Sequence, residues 1–263
     1  MRKIHKNNLL CYQFDIFNAY EEQLDHAVFT RQGGVSTTPY ASLNVRYKIG
    51  DQNAHVLENR KRIMAAMNLK RCVSADQEHT KNVVDVNQNF LNIAFEEGEM
   101  FEEVPGVDGF VTAQKGIGLM IQVADCQNII FYDTQKNVLG VAHAGWRGLK
   151  QNIAGEVIKM MKENYGCNQE NIKVGIGPSL GPDSAEFSDP YQELGPDFDP
   201  FIDGRKVDLW RFSFWQLMHL GILEDNIEIC HVDTASEEVK DEFYSYRRDN
   251  KVTGRFALVA YLK

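Results

Sequence analysis

The chain has 263 residues, 43% hydrophobic and 25% charged, with 28 basic against 37 acidic side chains and a formal net charge of −9. That balance, with no basic tract, excludes nucleic acid as an expected partner, and no run of 18 apolar residues is present to span a membrane as a helix. The length suits a core of several layers, and the absence of a repeat or linker predicts one catalytic domain, residues 1–263.

The N-terminal stretch MRKIHKNNLLCYQFDIF has neither an apolar run nor a small-residue cleavage site, so no signal peptide is expected. Residues 9–17 alternate apolar and polar and predict a strand. DHAVFTRQGGVS predicts a short strand and a Gly33-Gly34 turn, beside which Arg31 is either a solvated rim charge or an anion ligand. YASLN puts Ser42 and Asn44 in a polar loop. Residues 51–67 predict a helix, capped by Asp51 or Asn53, with Val56, Arg60, Ile63, Met64 and Met67 on one face. Gln77 and His79 follow on a loop or strand end. EEGEMFEE, residues 96–103, reads as a solvated surface segment or loop, and VPGVDGFVT as a turn at Asp108-Gly109 leading into a strand.

Residues 116–150 carry the most chemistry. IGLMIQVADC, NIIFYD and VLGVAH read as strands, with DTQKN as a polar turn. A turn centred between Thr134 and Gln135 would set Cys126 opposite His143, with Cβ atoms roughly 4.5–5.5 Å apart. AGWRG then opens a helix whose apolar stripe runs Leu149, Ile153, Val157, Met161 and Tyr165, stopped by Gly166. Free N–H groups at that helix start, with Arg147, suit an anion. IKVGIGPSLGP predicts a strand and turn, residues 210–220 a helix, IEICHVDT a strand, and the C-terminal segment a polar turn at 249–254 before a last apolar strand. YRRD is either a substrate wall or a structural ion-pair cluster.

One thiol and one imidazole make two thirds of a zinc site, and His79 is the preferred third ligand over His26 and His55. A His-Cys-His set with an open fourth position would lower the pKa of a bound water. A metal-free reading stays open, with Cys126 as nucleophile and His143 as base. Five cysteines scattered at 11, 72, 126, 167 and 230, without CxxC pairs, fit reduced thiols in a cytoplasm.

The stretches HAVFTRQGGVSTTPYASLN, ENRKRI, QEH at 77–79, VDGFVT, ADC at 124–126, HAGWRG at 143–148, GIGPSLGP and FYSYRRDNKVTGRFALVAYL run in order to the end of the chain. Together they closely resemble the YfiH-type, laccase-domain (multicopper polyphenol oxidoreductase-like) purine nucleoside phosphorylases. The resemblance implies an α+β fold, a four-layer αββα sandwich with mixed β-sheets of cysteine-hydrolase-like kind. It implies that His79, Cys126 and His143 are the metal ligands and the catalytic residues, with zinc, or alternatively copper, as the cofactor. The implied activity is phosphorolysis of adenosine, inosine and methylthioadenosine, with adenosine deamination beside it. Purine nucleoside and phosphate are then the partners, Arg31, Arg147 and Asn44 the substrate- and phosphate-binding candidates, and a monomer or small homo-oligomer the expected assembly. The chain departs from the family at Asn128, where proline is usual, at Thr80 and Arg46, where glycine is, and at Asp183-Ser184, where paired cysteines are. Three other readings compete: a Cys/His amidase acting on a peptidoglycan precursor, a copper-dependent polyphenol oxidase, and a metal-stabilised binding protein. The seven histidines, without an HxH pair, speak against a multicopper cluster.

Overall fold

Two β-sheets lie face to face, and the reason is visible in how their strands are buried. The computed structural model describes residues 1–96 and 98–263. Through residue 123 the elements are β1 (Arg2–Lys6), β2 (Leu9–Gln13), β3 (Leu24–Phe29), α1 (Asn53–Ala66), β4 (Arg71–Asp76), β5 (Val83–Asp85), α2 (Gln88–Ala94), β6 (Phe101–Pro105), β7 (Gly109–Thr112) and β8 (Ile117–Val123). Then come β9 (Gln127–Asp133), β10 (Val138–Ala144), α3 (Trp146–Lys150), α4 (Ile153–Tyr165), β11 (Ile172–Ile176) and α5 (Pro190–Leu194). The chain ends with β12 (Ile202–Asp203), β13 (Lys206–Val207), α6 (Leu209–His219), β14 (Ile227–Ile229) and β15 (Phe256–Leu262). The first sheet has seven strands in the order β1-β2-β3-β15-β8-β4-β6, and the second six in the order β14-β11-β9-β10-β7-β5. Both mix parallel and antiparallel pairs.

Successive side chains of a strand point to opposite faces. Leu119, Ile121 and Val123 of β8, Leu258 and Ala260 of β15, Ile130 and Tyr132 of β9, and Leu139 and Val141 of β10 fill the space between the sheets. The intervening residues point outward into two further apolar clusters. Met120, Ala257 and Val259 meet Ile63 and Met64 of α1. Ile129, Phe131 and Ala142 meet Val157, Ile158 and Met161 of α4, together with Phe212 and Leu217 of α6. Every residue of β8, β9 and β10 is therefore buried, which is why these segments read as continuous apolar runs.

Several local expectations change. β8 and β9 belong to different sheets, and Ala124-Asp125-Cys126 is the crossover between them. In the β9–β10 ladder His143 pairs with Asn128, two positions from the expected Cys126. The turn is longer than a two-residue hairpin, because Asp133 Oδ1 accepts the N–H groups of Gln135 and Lys136 and Asn137 takes a φ of 53°. Cys126 lies outside the ladder, one residue before β9, yet its sulfur still comes within 4.8 Å of a His143 ring nitrogen. The helix expected after Gly145 is two helices, broken where Asn152 adopts a left-handed φ of 59°. Neither Asp51 nor Asn53 caps α1; Asp51 Oδ2 instead accepts from Ser36 Oγ at 2.6 Å and Asn44 Nδ2 at 2.8 Å. Residues 101–103 of the acidic stretch open strand β6 rather than a loop, with Glu103 bonded to the buried Arg60 at 2.6 Å; Glu97 lies outside the described residues.

Candidate metal centre and its cavity

His79, Cys126 and His143 come from three separate elements. His79 lies on the loop after β4, Cys126 on the crossover before β9, and His143 near the end of β10. One ligand-capable atom from each lies within 4.8 Å of the others, and among the described residues this is the one such group of His, Cys, Asp or Glu. Cys126 Sγ is 3.7 Å from His79 Nε2. A tetrahedral zinc with bonds of about 2.3 Å to sulfur and about 2.0 Å to nitrogen sets ligand atoms roughly 3.3–3.6 Å apart. The Cys126–His79 edge, at 3.7 Å, is already close to that range, and modest closure of the others, all within 4.8 Å, would complete the fit. The donor set of two imidazoles and a thiolate is one that zinc or copper accepts.

Asp108 organises this centre. Its carboxylate is fully buried and lies 2.7 Å from His143 Nδ1, which leaves His143 Nε2 as the free ligand atom. The same carboxylate accepts the backbone N–H of Glu78, His79 and Thr80 at 3.3, 3.2 and 2.7 Å, and the Thr80 hydroxyl at 2.8 Å. That clasp holds the loop on which His79 adopts a left-handed φ of 61°. The Asp108 carbonyl also accepts the His143 N–H at 2.7 Å. The charges follow from these contacts. Burial raises the Asp108 pKa, but the bond to His143 and its charge, with the Thr80 donors, outweigh it and hold the carboxyl at about 2. Burial lowers that of His143, but the Cys126 and Asp108 charges lift it to about 9. Burial pushes the Cys126 thiol up, yet His143 and His79 bring it down to about 6. The thiolate, the form that ligates metals and attacks carbonyls, is thus favoured near neutral pH.

Gly145 permits this close assembly. A Cβ at that position would stand 2.8 Å from His79 Cδ2 and 2.9 Å from Cys126 Sγ.

His79 and Cys126 line a cavity of about 640 Å³. Trp146, Leu180, Phe187 and Leu209 give it an apolar and aromatic wall, with Trp146 and Phe187 edge to face at 6.1 Å. Arg147 also lines it, its guanidinium 4.1 Å from the Trp146 ring. Arg31 and Asn44 are not among the lining residues. Arg31 donates from Nε and Nη2 to the Ala41 carbonyl and from Nη1 to that of Lys240, and stacks 4.4 Å over Tyr244. Asn44 is buried and joins Asp51, Arg46 and Arg255. His26 sits in the core, accepting the Phe14 N–H at 2.9 Å, and His55 Nδ1 lies 3.7 Å from Asp51.

A family profile described as "Multi-copper polyphenol oxidoreductase laccase" matches residues 25–263. The chain belongs to this family. It is 32% identical over 237 residues to the purine nucleoside phosphorylase YlmD of Bacillus subtilis, covering 86% of this chain and 84% of that protein. It is 32% identical over 242 residues to the purine nucleoside phosphorylase YfiH of Escherichia coli, covering 89% and 91%. The crystal structure of YlmD from Geobacillus stearothermophilus is similar with a TM-score of 0.85 at 27% identity, over 100% of this chain and 98% of that one.

Within the family pattern, the unusual residues have definite places. Thr80 adds its hydroxyl to the clasp on Asp108. Asn128, fully buried opposite His143, donates to the Pro178 carbonyl at 3.0 Å, while its Oδ1 has no partner among the described residues. Arg46 braces the end of β4 through Asp76 at 3.1 Å and the Gln77 carbonyl at 3.2 Å. Ser184 bonds Asp233 at 2.5 Å and Asp183 pairs with Lys206 at 3.1 Å. Sequence reasoning missed Asp108, whose Asp-Gly dipeptide suggested only a turn. The YRRD segment divides: Tyr246 and Arg247 line the cavity, whereas Arg248 is bonded to Asp249 and to the Thr234 and Phe243 carbonyls.

Proposed function

We propose that the chain is a purine nucleoside phosphorylase acting on adenosine, inosine and methylthioadenosine, with adenosine deaminase activity beside it, at a zinc held by His79, Cys126 and His143. One observation carries this reading: a thiolate and two oriented imidazoles converge at a cavity with aromatic and cationic walls, in a chain whose relatives bear the phosphorylase name. Bound there, zinc would supply a Lewis acid and a water of lowered pKa. The protein's own residues would do the rest. Asp108 keeps His143 in the ligating tautomer, Trp146 and Phe187 offer faces for a purine, and Arg147 would add positive charge to the cavity that receives the phosphate. Copper fits the same donors less well as a multicopper centre, since among the described residues no second cluster accompanies the first.

The three stacked apolar clusters support reading the α+β fold as a four-layer αββα sandwich of cysteine-hydrolase-like kind in one catalytic domain. Five free cysteines support a cytoplasmic setting. Among the described residues no helix is long and apolar enough to cross a membrane. We keep the monomer or small homo-oligomer as the expected assembly.

The test is phosphate-dependent release of hypoxanthine from inosine and conversion of adenosine to inosine by metal-loaded protein. Cys126→Ala should remove metal and both activities together. No hypoxanthine release with metal bound would sink the phosphorylase reading. One observation favours a second reading, the Cys/His amidase: Cys126, His143 and Asp108 are ordered as nucleophile, base and orienting carboxylate. Amide cleavage that survives complete chelation would select it.

A further inference from the structure

We propose that the cavity holds a phosphoryl dianion on Arg247 and Lys251, and that this dianion is the free phosphate that receives the ribose. The identity of the anion rests on the phosphorylase reading; its place rests on geometry. The Arg247 N–H donates to Asp125 Oδ2 at 2.7 Å, and Asp125 immediately precedes Cys126. The loop is therefore tied to the residue beside the thiolate. Asn250 and Lys251 have left-handed φ values of 50° and 71°, and the Lys251 N–H returns to the Tyr246 carbonyl at 2.9 Å. This reversal puts Arg247 and Lys251 on the same stretch of cavity wall.

Among the described residues, neither side chain is engaged in an ion pair or hydrogen bond; Arg147 also lines the cavity but its guanidinium is stacked on Trp146 at 4.1 Å, and Arg205 and Arg255 are committed. Arg205 pairs with Glu186 at 3.3 Å and donates to the Phe187 carbonyl at 3.0 Å. Arg255 donates to the Thr253 and Gly254 carbonyls at 3.0 and 2.9 Å. Asp125 is occupied by the Thr234 hydroxyl at 2.8 Å and the Arg247 N–H, and Asp249, the carboxylate closest along the chain, by Arg248 Nε at 2.9 Å and the Thr253 hydroxyl at 2.7 Å. Glu193 accepts the N–H groups of Ser188 and Asp189. In a chain of net charge −9, this wall thus presents two cations without internal partners. An anion there satisfies them with charge-assisted bonds. The apolar wall of Leu180, Phe187 and Leu209 is left for the base, with the ribose between. The step balances without a redox partner. A phosphate oxygen bonds C1′ as the C1′–N9 bond breaks, the electron pair leaves on N9, and the proton of the hydrogen phosphate ends on the purine.

Free phosphate and the 5′-phosphate of a nucleotide share this chemistry, so both are titrated. Calorimetry of metal-loaded wild type, Arg247→Gln and Lys251→Gln is run with inorganic phosphate and, separately, with AMP. Wild type should bind inorganic phosphate, and each substitution should weaken that binding roughly ten- to hundredfold. Metal content and inosine binding should not change. Phosphate binding that is absent in wild type, or unaltered by both substitutions, overturns the assignment. Loss of AMP binding alone, with phosphate binding intact, overturns it in favour of a nucleotide. Because binding needs no turnover, phosphate that binds as expected without hypoxanthine release upholds the anion site and defeats only the phosphorylase reading.

Discussion

At the scale of single residues, Asp108 has the widest reach. It fixes the tautomer of one imidazole and the loop carrying the other. Asp108→Asn preserves the shape but removes the charge and one acceptor. We expect metal affinity to fall roughly 10–100-fold, as for other partners of ligating histidines, measured by competition with a chromophoric chelator. An unchanged affinity would leave Asp108 a purely structural role. His26 makes a different case. Burial, with the Lys6 and Arg2 charges, lowers its pKa from 6.5 to about 3, and its Nε2 accepts the Phe14 N–H, so the folded protein holds it neutral. The unfolded chain takes up a proton that the folded one refuses. This contribution to stability is complete above the unfolded pKa of 6.5 and is lost as pH falls from there toward about 3. Melting curves across that window should show a loss that His26→Gln lacks, since glutamine keeps an acceptor without titrating. Identical pH profiles would contradict this account.

At the scale of elements, periodicity carried far and connections did not. The stripe from Ile153 to Met161 and the face of Val56, Arg60, Ile63 and Met64 are buried as their spacing implies. What spacing leaves open is where a regular run breaks. Asn152 keeps a helical pattern in register on both sides, yet its left-handed backbone separates α3 from α4 and its side chain caps Gly155 at 3.1 Å. Asn152→Ala loses the cap and strains the backbone, so it should cost about 1–3 kcal/mol. Asn152→Gly keeps the backbone freedom and should cost less. Denaturant midpoints decide it, and equal losses in both variants would refute the left-handed explanation. The hairpin taught the same lesson: strand content was legible, but the register depended on how Asp133 folds the turn.

At the scale of the molecule, the candidate metal centre joins parts that no local signal connects. His79 follows a strand of one sheet, His143 lies near the end of a strand of the other, and Cys126 lies on the passage between them. A metal there would clamp the two sheets at one end. Chelation should therefore lower the melting temperature by roughly 5–10 °C if metal is present at about a hundredfold over its Kd. Cys126→Ala should melt at one temperature with or without chelator. An unshifted wild-type curve after verified metal loss would show that the centre does not brace the fold.

The sequence alone determined the composition class, the strands and helices with strong periodicity, and three residues able to ligate a metal, because these depend on residue type and short-range order. Tertiary structure decided the rest. It separated β8 from β9, turned Arg31 and Asn44 to internal contacts, and raised Asp108 from a turn residue to the support of the site. It also brought Arg247 and Lys251 to the cavity wall more than a hundred residues along the chain from Cys126. Those outcomes follow from which strands face each other across the core, and contact between segments so far apart leaves no periodic trace in either of them.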